Sequence, residues 1–278
     1  MQAPAALTLE ELALFNELFS NTFGLHFPEH KLEILESRLL PRLRANHVQR
    51  FMDYYLILQY DLQREIDPLT RAITNNESYF FRETAQFEAL DNVRLDELCQ
   101  GGRRGALRFL SAGCSSGEEA YTLNIFVRNQ PAAMGARGLS IDGIDIDSQR
   151  LAMARQAVYR SSALRALNAE QTGRYFKRVD HEHFELREAF RQGVDFAPGN
   201  ILELDSRIKD EPYDAIFCRN VLIYFSEPAL KKAIEQFAQA VRVGGLLFLG
   251  HSESIIGLTT AFQAERLGPS IAYRRKEA

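Results

Sequence analysis

From residue 106 onward the chain alternates short apolar runs with stretches of helical spacing: ALRFLSAG, EEAYTLNIFVRN, LSIDGIDID, SQRLAMARQAVY. Runs this apolar are suited to strands buried on both faces, and helix-length segments between them supply the crossovers that parallel pairing requires. The rhythm resumes at VDFAPGNI and continues through YDAIFCRNVLIYF, a helix over EPALKKAIEQFAQAV and the strand GGLLFLGHSES. The end, FQAERLGPSIAYRR, reads as a hairpin turning at Gly268-Pro269. The expected fold is therefore α/β, with a mostly parallel sheet. Between the two blocks, residues 173–193 alternate polar and apolar side chains without helical spacing, which predicts a small antiparallel β insertion.

Residues 1–75 have a different texture and predict an all-α domain, with residues 76–278 forming the second domain. LTLEELALFNELFSNTFG carries apolar residues at helical spacing, with Thr8 as a cap and Gly24 as a stop. In KLEILESRLLPRLRANH, Leu32, Leu35, Leu39 and Leu43 form one stripe and Arg38, Arg42 and Asn46 another. Pro41 falls inside this pattern and should kink or split the helix, because it removes a backbone donor and crowds the preceding turn. FMDYYLILQYDLQREIDPLTRAIT reads as a third helical stretch.

With 278 residues, 46% of them hydrophobic, the chain can build one large domain with an accessory piece or two modest domains. A formal net charge of −4 argues against a surface built throughout for nucleic acid or anionic lipid, so any basic docking surface must be local. Cys99, Cys114 and Cys218 are odd in number and far apart, which fits a reducing compartment and excludes a disulfide framework or a four-cysteine zinc site. The sequence has no apolar run of the roughly 20 residues that span a bilayer and no signal-peptide pattern at MQAPAALTLEEL, so a cytoplasmic location is expected.

The most informative loop is SAGCSSGEE, residues 111–119, directly after ALRFL. A dinucleotide loop would read G-x-G-x-x-G; here only Gly113 and Gly117 are present, Ser115 stands between them, and Glu118 and Glu119 follow where a phosphate would be repelled. A Walker loop is excluded because no G-K-[ST] follows. A ligand carrying an adenosine, an ammonium and a sulfonium but no phosphate suits these groups, which describes S-adenosylmethionine. Asp145, at the end of the next predicted strand, is placed to accept ribose hydroxyls; the competing role is capping the following helix, which suits Asp147 better. For Glu119, ligand binding and a favourable charge in a helix first turn fit the pattern equally.

Several stretches then fall together: NNESYFFRE (75–83), SAGCSSGEEAY (111–121), DIDSQRLAMARQAVY (145–159), YDAIFCRNVLIYF (213–225) and GGLLFLGHSES (244–254). With them the chain resembles the bacterial chemotaxis-receptor glutamate O-methyltransferases, the CheR family, from about residue 8 to the C-terminus. The resemblance implies an N-terminal helical docking domain, a doubly wound, Rossmann-like S-adenosylmethionine-dependent methyltransferase domain with a small β insertion, and transfer of methyl groups to glutamate side chains on chemoreceptor cytoplasmic helices, giving glutamyl methyl esters. A glutamate with a solution pKa of about 4.3 is already ionised at neutral pH, so the acceptor is its own nucleophile and no general base is required. Positioning donors are the residues to look for.

Carried over by motif, the resemblance places cofactor contacts at Asn76, Ser78, Arg82, Glu119, Asp145, Asn200, Ile201, Arg219 and Asn220, and catalytic roles at Arg82, Arg219 and Tyr224. Either Arg82 or Arg219 can fork a carboxylate, that of the cofactor or that of the acceptor; without the resemblance, an ion pair of Arg219 with Asp214 and a core position for Tyr224 would be the preferred readings. The product would be S-adenosylhomocysteine. Arg38, Arg42 and Arg44 would steer a glutamate-rich receptor helix. In many family members the β insertion captures a C-terminal receptor tether by strand addition; the turn RVDHEHFEL is shorter here and lacks glycines, so methylation independent of the tether is expected. His181 and His183 have no third ligand nearby in sequence and no metal is expected. A monomer is expected. The intact Arg82, Asp145, Arg219 and Tyr224 argue against a non-enzymatic scaffold.

Overall fold

The computed structural model describes residues 6–90, 92–100, 106–130, 138–204 and 211–277. It divides into a helical module, residues 1–75 with the return segment Tyr224–Leu230, and a sheet module, residues 76–223 and 231–278.

In the helical module α1 (Leu9–Phe23) opens with a capping box between Thr8 and Glu11 and closes at Gly24, whose φ of 81° lets its N–H reach Ser20 O. α2 (Leu32–Ala45) runs through Pro41 without a break. The predicted split does not occur because Leu35, Leu39 and Leu43, all essentially buried, pack on both sides of the proline and outweigh the single lost hydrogen bond. The third predicted stretch is two helices, α3 (Phe51–Tyr60) and α4 (Leu62–Ile73), divided at Asp61, which leaves helical geometry and caps α4 by accepting from Arg64 N–H. An aromatic core fills the module: Phe15 lies 5.6 Å from Phe19 and 6.4 Å from Tyr54, ring centre to ring centre.

The expected basic stripe of α2 is largely engaged inside this module. Arg42 forks Glu65, with Nη2–Oε2 at 2.8 Å and Nε–Oε2 at 3.0 Å, and the Tyr54 hydroxyl donates to the same carboxylate at 2.9 Å. Arg38 Nη1 donates to Ile73 O at 2.7 Å, satisfying a carbonyl at the end of α4. Of the three arginines only Arg44 is exposed. Sequence spacing located the stripe but could not show the neighbours that α4 brings to it.

The sheet module holds seven strands in the order β6-β2-β1-β7-β8-β10-β9. They are β1 (Leu107–Ala112), β2 (Leu139–Asp145), β6 (Val194–Pro198), β7 (Tyr213–Cys218), β8 (Val241–Leu249), β9 (Phe262–Leu267) and β10 (Ser270–Arg275). β6, β2, β1, β7 and β8 pair in parallel, and β10 enters antiparallel between β8 and β9. The order reverses at β1, so the carboxyl ends of β1, β2 and β7 flank the crevice where open α/β sheets bind ligands. Helices α5 (Ala85–Glu88), α6 (Asn92–Gln100), α7 (Glu118–Arg128), α8 (Ser148–Gln156) and α10 (Glu227–Ala240) are interleaved with the strands. Phe87, Phe217 and Phe248 stack in sequence through the core, with centroids 5.7 and 4.4 Å apart.

The β insertion is larger than 173–193 and is organised differently. Its sheet has the order β3-β5-β4, from β3 (Val158–Arg160), β4 (Phe176–Arg178) and β5 (His183–Leu186). Residues Ala169–Tyr175 form helix α9 behind an Asn168–Gln171 capping box, so the predicted strand texture begins only at Phe176. β3 was hidden in what reads as the end of a helix: α8 stops at Gln156 because Ala157 adopts φ 53°. In the β4–β5 turn, Asp180 accepts the N–H groups of Glu182 and His183, which hold its carboxyl down to about 2, and its Oδ2 lies 3.0 Å from His183 Nδ1. The described residues contain no cluster of three or more His, Cys, Asp or Glu side chains placed to hold a metal ion.

Candidate functional site

The loop after β1 is folded against β2. Gly113 N–H and Cys114 N–H both donate to Ile144 O, Ser115 N–H to Asp145 Oδ2 at 2.8 Å, and Gly117 N–H to Cys114 O. A phosphate-binding loop needs these N–H groups pointing outward; here they are engaged within the protein. The loop therefore does not form the cradle for a pyrophosphate.

Its shape depends on glycine. Gly113 has φ 76°, and a Cβ there would lie 2.6 Å from Val221 Cγ2. Gly113→Ala is expected to destabilise the sheet module by about 2 to 3 kcal/mol, from the left-handed backbone and the overpacking together, and to abolish cofactor binding; denaturant unfolding and calorimetry check both.

Asp145 ends β2. Its Oδ1 accepts Asp147 N–H at 2.8 Å and its Oδ2 the Ser115 N–H, leaving lone pairs on both oxygens for a diol. Capping of α8 belongs to Asp147, whose Oδ1 accepts from Gln149 and Arg150 N–H. Glu119 Oε1 accepts from Ser111 Oγ at 2.7 Å and its Oε2 lies 3.4 Å from Arg219 Nη1. Glu118 is buried with the Ser116 hydroxyl, 2.9 Å away, and that of Ser78. Asn76 Nδ2 donates to Asp147 Oδ2 at 3.0 Å, and Ser115 Oγ contacts Asn76 O. Gly199 N–H donates to Asp145 O, placing Asn200 and the buried Ile201 just beyond Asp145.

Arg219 is a different kind of residue from Arg82. Its side chain is only 2% exposed and sits between two carboxylates, Glu119 and Glu83, at 3.4 and 3.3 Å. It also donates to Arg82 O and lies 4.7 Å over the Phe87 ring, while its buried Nε has no protein partner. The alternative partner Asp214 instead pairs with Arg242 at 2.6 Å. Arg82 is half-buried, with Nη1 donating to Glu77 O at 2.9 Å.

Glu83 and Glu253 belong to this site although they had no assigned role in the sequence. Glu83, at φ 53°, takes His251 Nδ1 at 2.8 Å and Asn220 Nδ2 at 3.2 Å besides Arg219. Glu253 accepts the N–H groups of Gly250, Asn220, Val221 and Ile223. Both acids lie in quoted motifs, NNESYFFRE and GHSES, directly beside strand or loop ends; the available signal was an acid next to a strained turn. Tyr224 falls in the helical module, where its hydroxyl accepts from Asn75 Nδ2 at 2.8 Å and Lys31 Nζ lies 5.7 Å from the ring centre.

Burial pushes the carboxyls of Glu119 and Asp145 above their ordinary values, the first partly countered by Arg219 and Ser111, the second by the backbone N–H groups of Asp147 and Ser115. Burial also raises Glu83, but His251, Asn220 and Arg219 more than reverse it and leave it low. The Cys114 thiol is raised well above its usual value by burial and then by Asp145, Glu119 and Glu118, so it is a packing residue and not a nucleophile. Because ligand donors favour ionised Asp145 and Glu119, affinity for S-adenosylhomocysteine is expected to weaken as pH falls, starting above the ordinary carboxylate range. Calorimetric titration between about pH 8 and pH 5 checks this. The linkage to apo stability has the opposite sign: these two raised groups stabilise the fold in acid and lose that contribution as pH rises through their folded values.

A doubly wound sheet with acids rather than phosphate donors at the carboxyl ends of β1 and β2 defines a nucleoside-binding fold suited to S-adenosylmethionine-dependent transfer. The family models agree: CheR methyltransferase, SAM binding domain, matches residues 76–269, and CheR methyltransferase, all-alpha domain, matches residues 10–74. The chain belongs to the CheR methyltransferase family and is an S-adenosylmethionine-dependent methyltransferase. It is 31% identical to chemotaxis protein methyltransferase 2 of Vibrio cholerae over 268 residues, 96% of this chain and 93% of that one. It is 32% identical to the chemotaxis protein methyltransferase of Escherichia coli, over 92% of this chain and 88% of that protein. It is also 32% identical to the probable biofilm formation methyltransferase WspC of Pseudomonas putida, covering 95% of this chain but 61% of that protein.

The residues present fit the cofactor. Asp145 retains acceptors for a ribose diol, Glu119 offers a carboxylate to an ammonium, and Gly113 keeps the loop free of a Cβ that would clash with Val221.

Proposed function

We propose that this methyltransferase esterifies glutamate side chains on the cytoplasmic helices of chemoreceptors, with Arg82 as the carboxylate-holding residue. The observation that carries this reading is the contrast between the two arginines: Arg219 is buried and already paired with Glu119 and Glu83, whereas Arg82 is partly exposed with one guanidinium edge tied to Glu77 O. Arg219 then organises the site and Arg82 meets the ligand.

In this reading Asp145 holds the ribose, Glu119 the ammonium, and Asn76, Ser78, Asn200, Ile201 and Asn220 line the remaining nucleoside contacts. Bound S-adenosylmethionine supplies an electrophilic methyl group on a sulfonium. The acceptor carboxylate brings its own negative charge, so the chain's task is to orient and partly desolvate it, not to remove a proton. Arg82 can do this by a bidentate fork. Tyr224 is assigned the remaining orienting role from the family resemblance; its hydroxyl proton is available while its oxygen accepts from Asn75.

The helical module would dock the receptor. Arg44 remains exposed on α2, but with Arg38 and Arg42 engaged internally the steering surface has to draw on further residues. We place the enzyme in the cytoplasm as a monomer; no helix among the described residues is long and apolar enough to cross a membrane. The short β4–β5 turn, closed on Asp180, supports methylation independent of a receptor tether. Transfer of tritiated methyl from S-adenosylmethionine to receptor cytoplasmic fragments with and without their C-terminal tether tests the reading. Equal labelling of both is expected; labelling of the tethered fragment alone would refute tether independence, and labelling of neither would refute the acceptor class.

A further inference from the structure

We infer that Tyr79 and Arg165 are positioning residues for Arg82, an arrangement that rests on the reading of Arg82 given above. NNESYFFRE turns back on itself at Phe81 and Glu83, both at positive φ, and Phe80 N–H donates to Ala163 O at 2.9 Å. Phe80 is fully buried between Tyr159 and Phe176, each 4.8 Å away, so the segment is anchored in the insertion. That anchor brings the short 3₁₀ turn Ser161–Leu164, and Arg165 after it, beside Tyr79.

The Arg165 guanidinium stacks on the Tyr79 ring at 3.6 Å, donates to Ser162 O at 3.2 Å and pairs with Glu77 Oε1 at 2.9 Å. The same ring lies 5.7 Å from the Arg82 guanidinium, and Glu77 also takes Arg82 Nη1 on its backbone carbonyl. Tyr79 and Glu77 thus contact two arginines, one through three interactions and one with a free edge. A half-exposed arginine ordinarily samples many rotamers, and ordering it on binding reduces the affinity of its fork. A ring held by Arg165 and the Glu77 carbonyl restrict Arg82 before the ligand arrives, which is preorganisation of a fork. The separate location of Arg165, on the insertion and remote in sequence, explains why the motif alone does not reveal this.

The test is a double-mutant cycle in the full-length enzyme, read by steady-state kinetics with S-adenosylmethionine and a receptor fragment. Tyr79→Leu keeps an apolar side chain and removes the ring face; it is expected to lower kcat/KM about threefold to tenfold, raising the KM of whichever substrate Arg82 holds. Arg165→Leu, which leaves Tyr79 in place, is expected to give a smaller loss of the same kind, and Tyr79→Phe to rescue. In an Arg82→Ala background neither change should cost anything further. Far-UV circular dichroism and Tm accompany each variant, and Arg165→Leu carries the test if Tyr79→Leu fails to fold. Losses that persist undiminished in the Arg82→Ala background would overturn the positioning role alone. A harmless Arg82→Ala would overturn both this inference and the reading of Arg82.

Discussion

Arg82→Ala is expected to lower kcat/KM for methyl transfer by roughly a hundredfold or more while leaving the fold intact. The guanidinium contributes little to the folded state: one hydrogen bond to Glu77 O and an edge over Tyr79, both at the surface. Its neighbours Phe80 and Phe87, which do hold the segment, are buried independently of it. A carboxylate held by a fork in a closed site loses two charge-assisted hydrogen bonds when the arginine goes, and the acceptor loses its alignment with the methyl group. The kinetic split is informative as well. A rise in the KM of the receptor fragment assigns the fork to the acceptor, and a rise in that of S-adenosylmethionine assigns it to the cofactor. Arg219→Ala should behave differently, because it strands Glu83 and Glu119 without their cation and so lowers Tm along with activity.

The second large effect is on stability. Arg42→Ala is expected to destabilise the helical module by about 3 kcal/mol or more, because it leaves Glu65 buried with only uncharged partners. Burial pushes the Glu65 carboxyl up, and the hydrogen bonds from Arg42, Asn46 and Tyr54 overcome that and leave it below its ordinary value. In the native protein this contribution is therefore present above an ordinary glutamate pKa and lost as pH falls through the lowered folded value. Without Arg42 burial dominates, the folded value rises, and the penalty of the substitution shrinks as the medium is acidified. Urea unfolding of the two proteins at neutral and mildly acidic pH reads both the size and the sign. Equal losses at the two pH values would contradict the assignment of the pair.

The parallel strands were legible because burial on both faces leaves a run of apolar residues that few other structures need, and Gly113 and Asp145 were legible because they close such runs. The antiparallel insertion was legible in its polar–apolar alternation, but its first strand was not, since β3 is three residues long and joins α8 through Ala157, a residue with no intrinsic preference for the left-handed turn it makes. Arg42 was misread for a related reason. Helical spacing shows which residues share a face but not that Glu65 and Tyr54, from two other helices, come to meet that face. Arg82 and Arg219 could not be separated by sequence, because the difference lies in the Glu83 side chain, carried to Arg219 by a backbone turn at positive φ. Asp147 and Asp145 were separated in outline, the first by its position before α8 and the second by its place at the end of β2.

The most direct measurement is mass-spectrometric mapping of a chemoreceptor cytoplasmic fragment after incubation with the enzyme and S-adenosylmethionine. A mass increment of one methylene confined to glutamate side chains, lost on mild base with release of methanol and strongly reduced with Arg82→Ala enzyme, is the predicted result. A base-stable increment on another residue type, or an unmodified fragment in the presence of enzyme that binds S-adenosylhomocysteine, would contradict it.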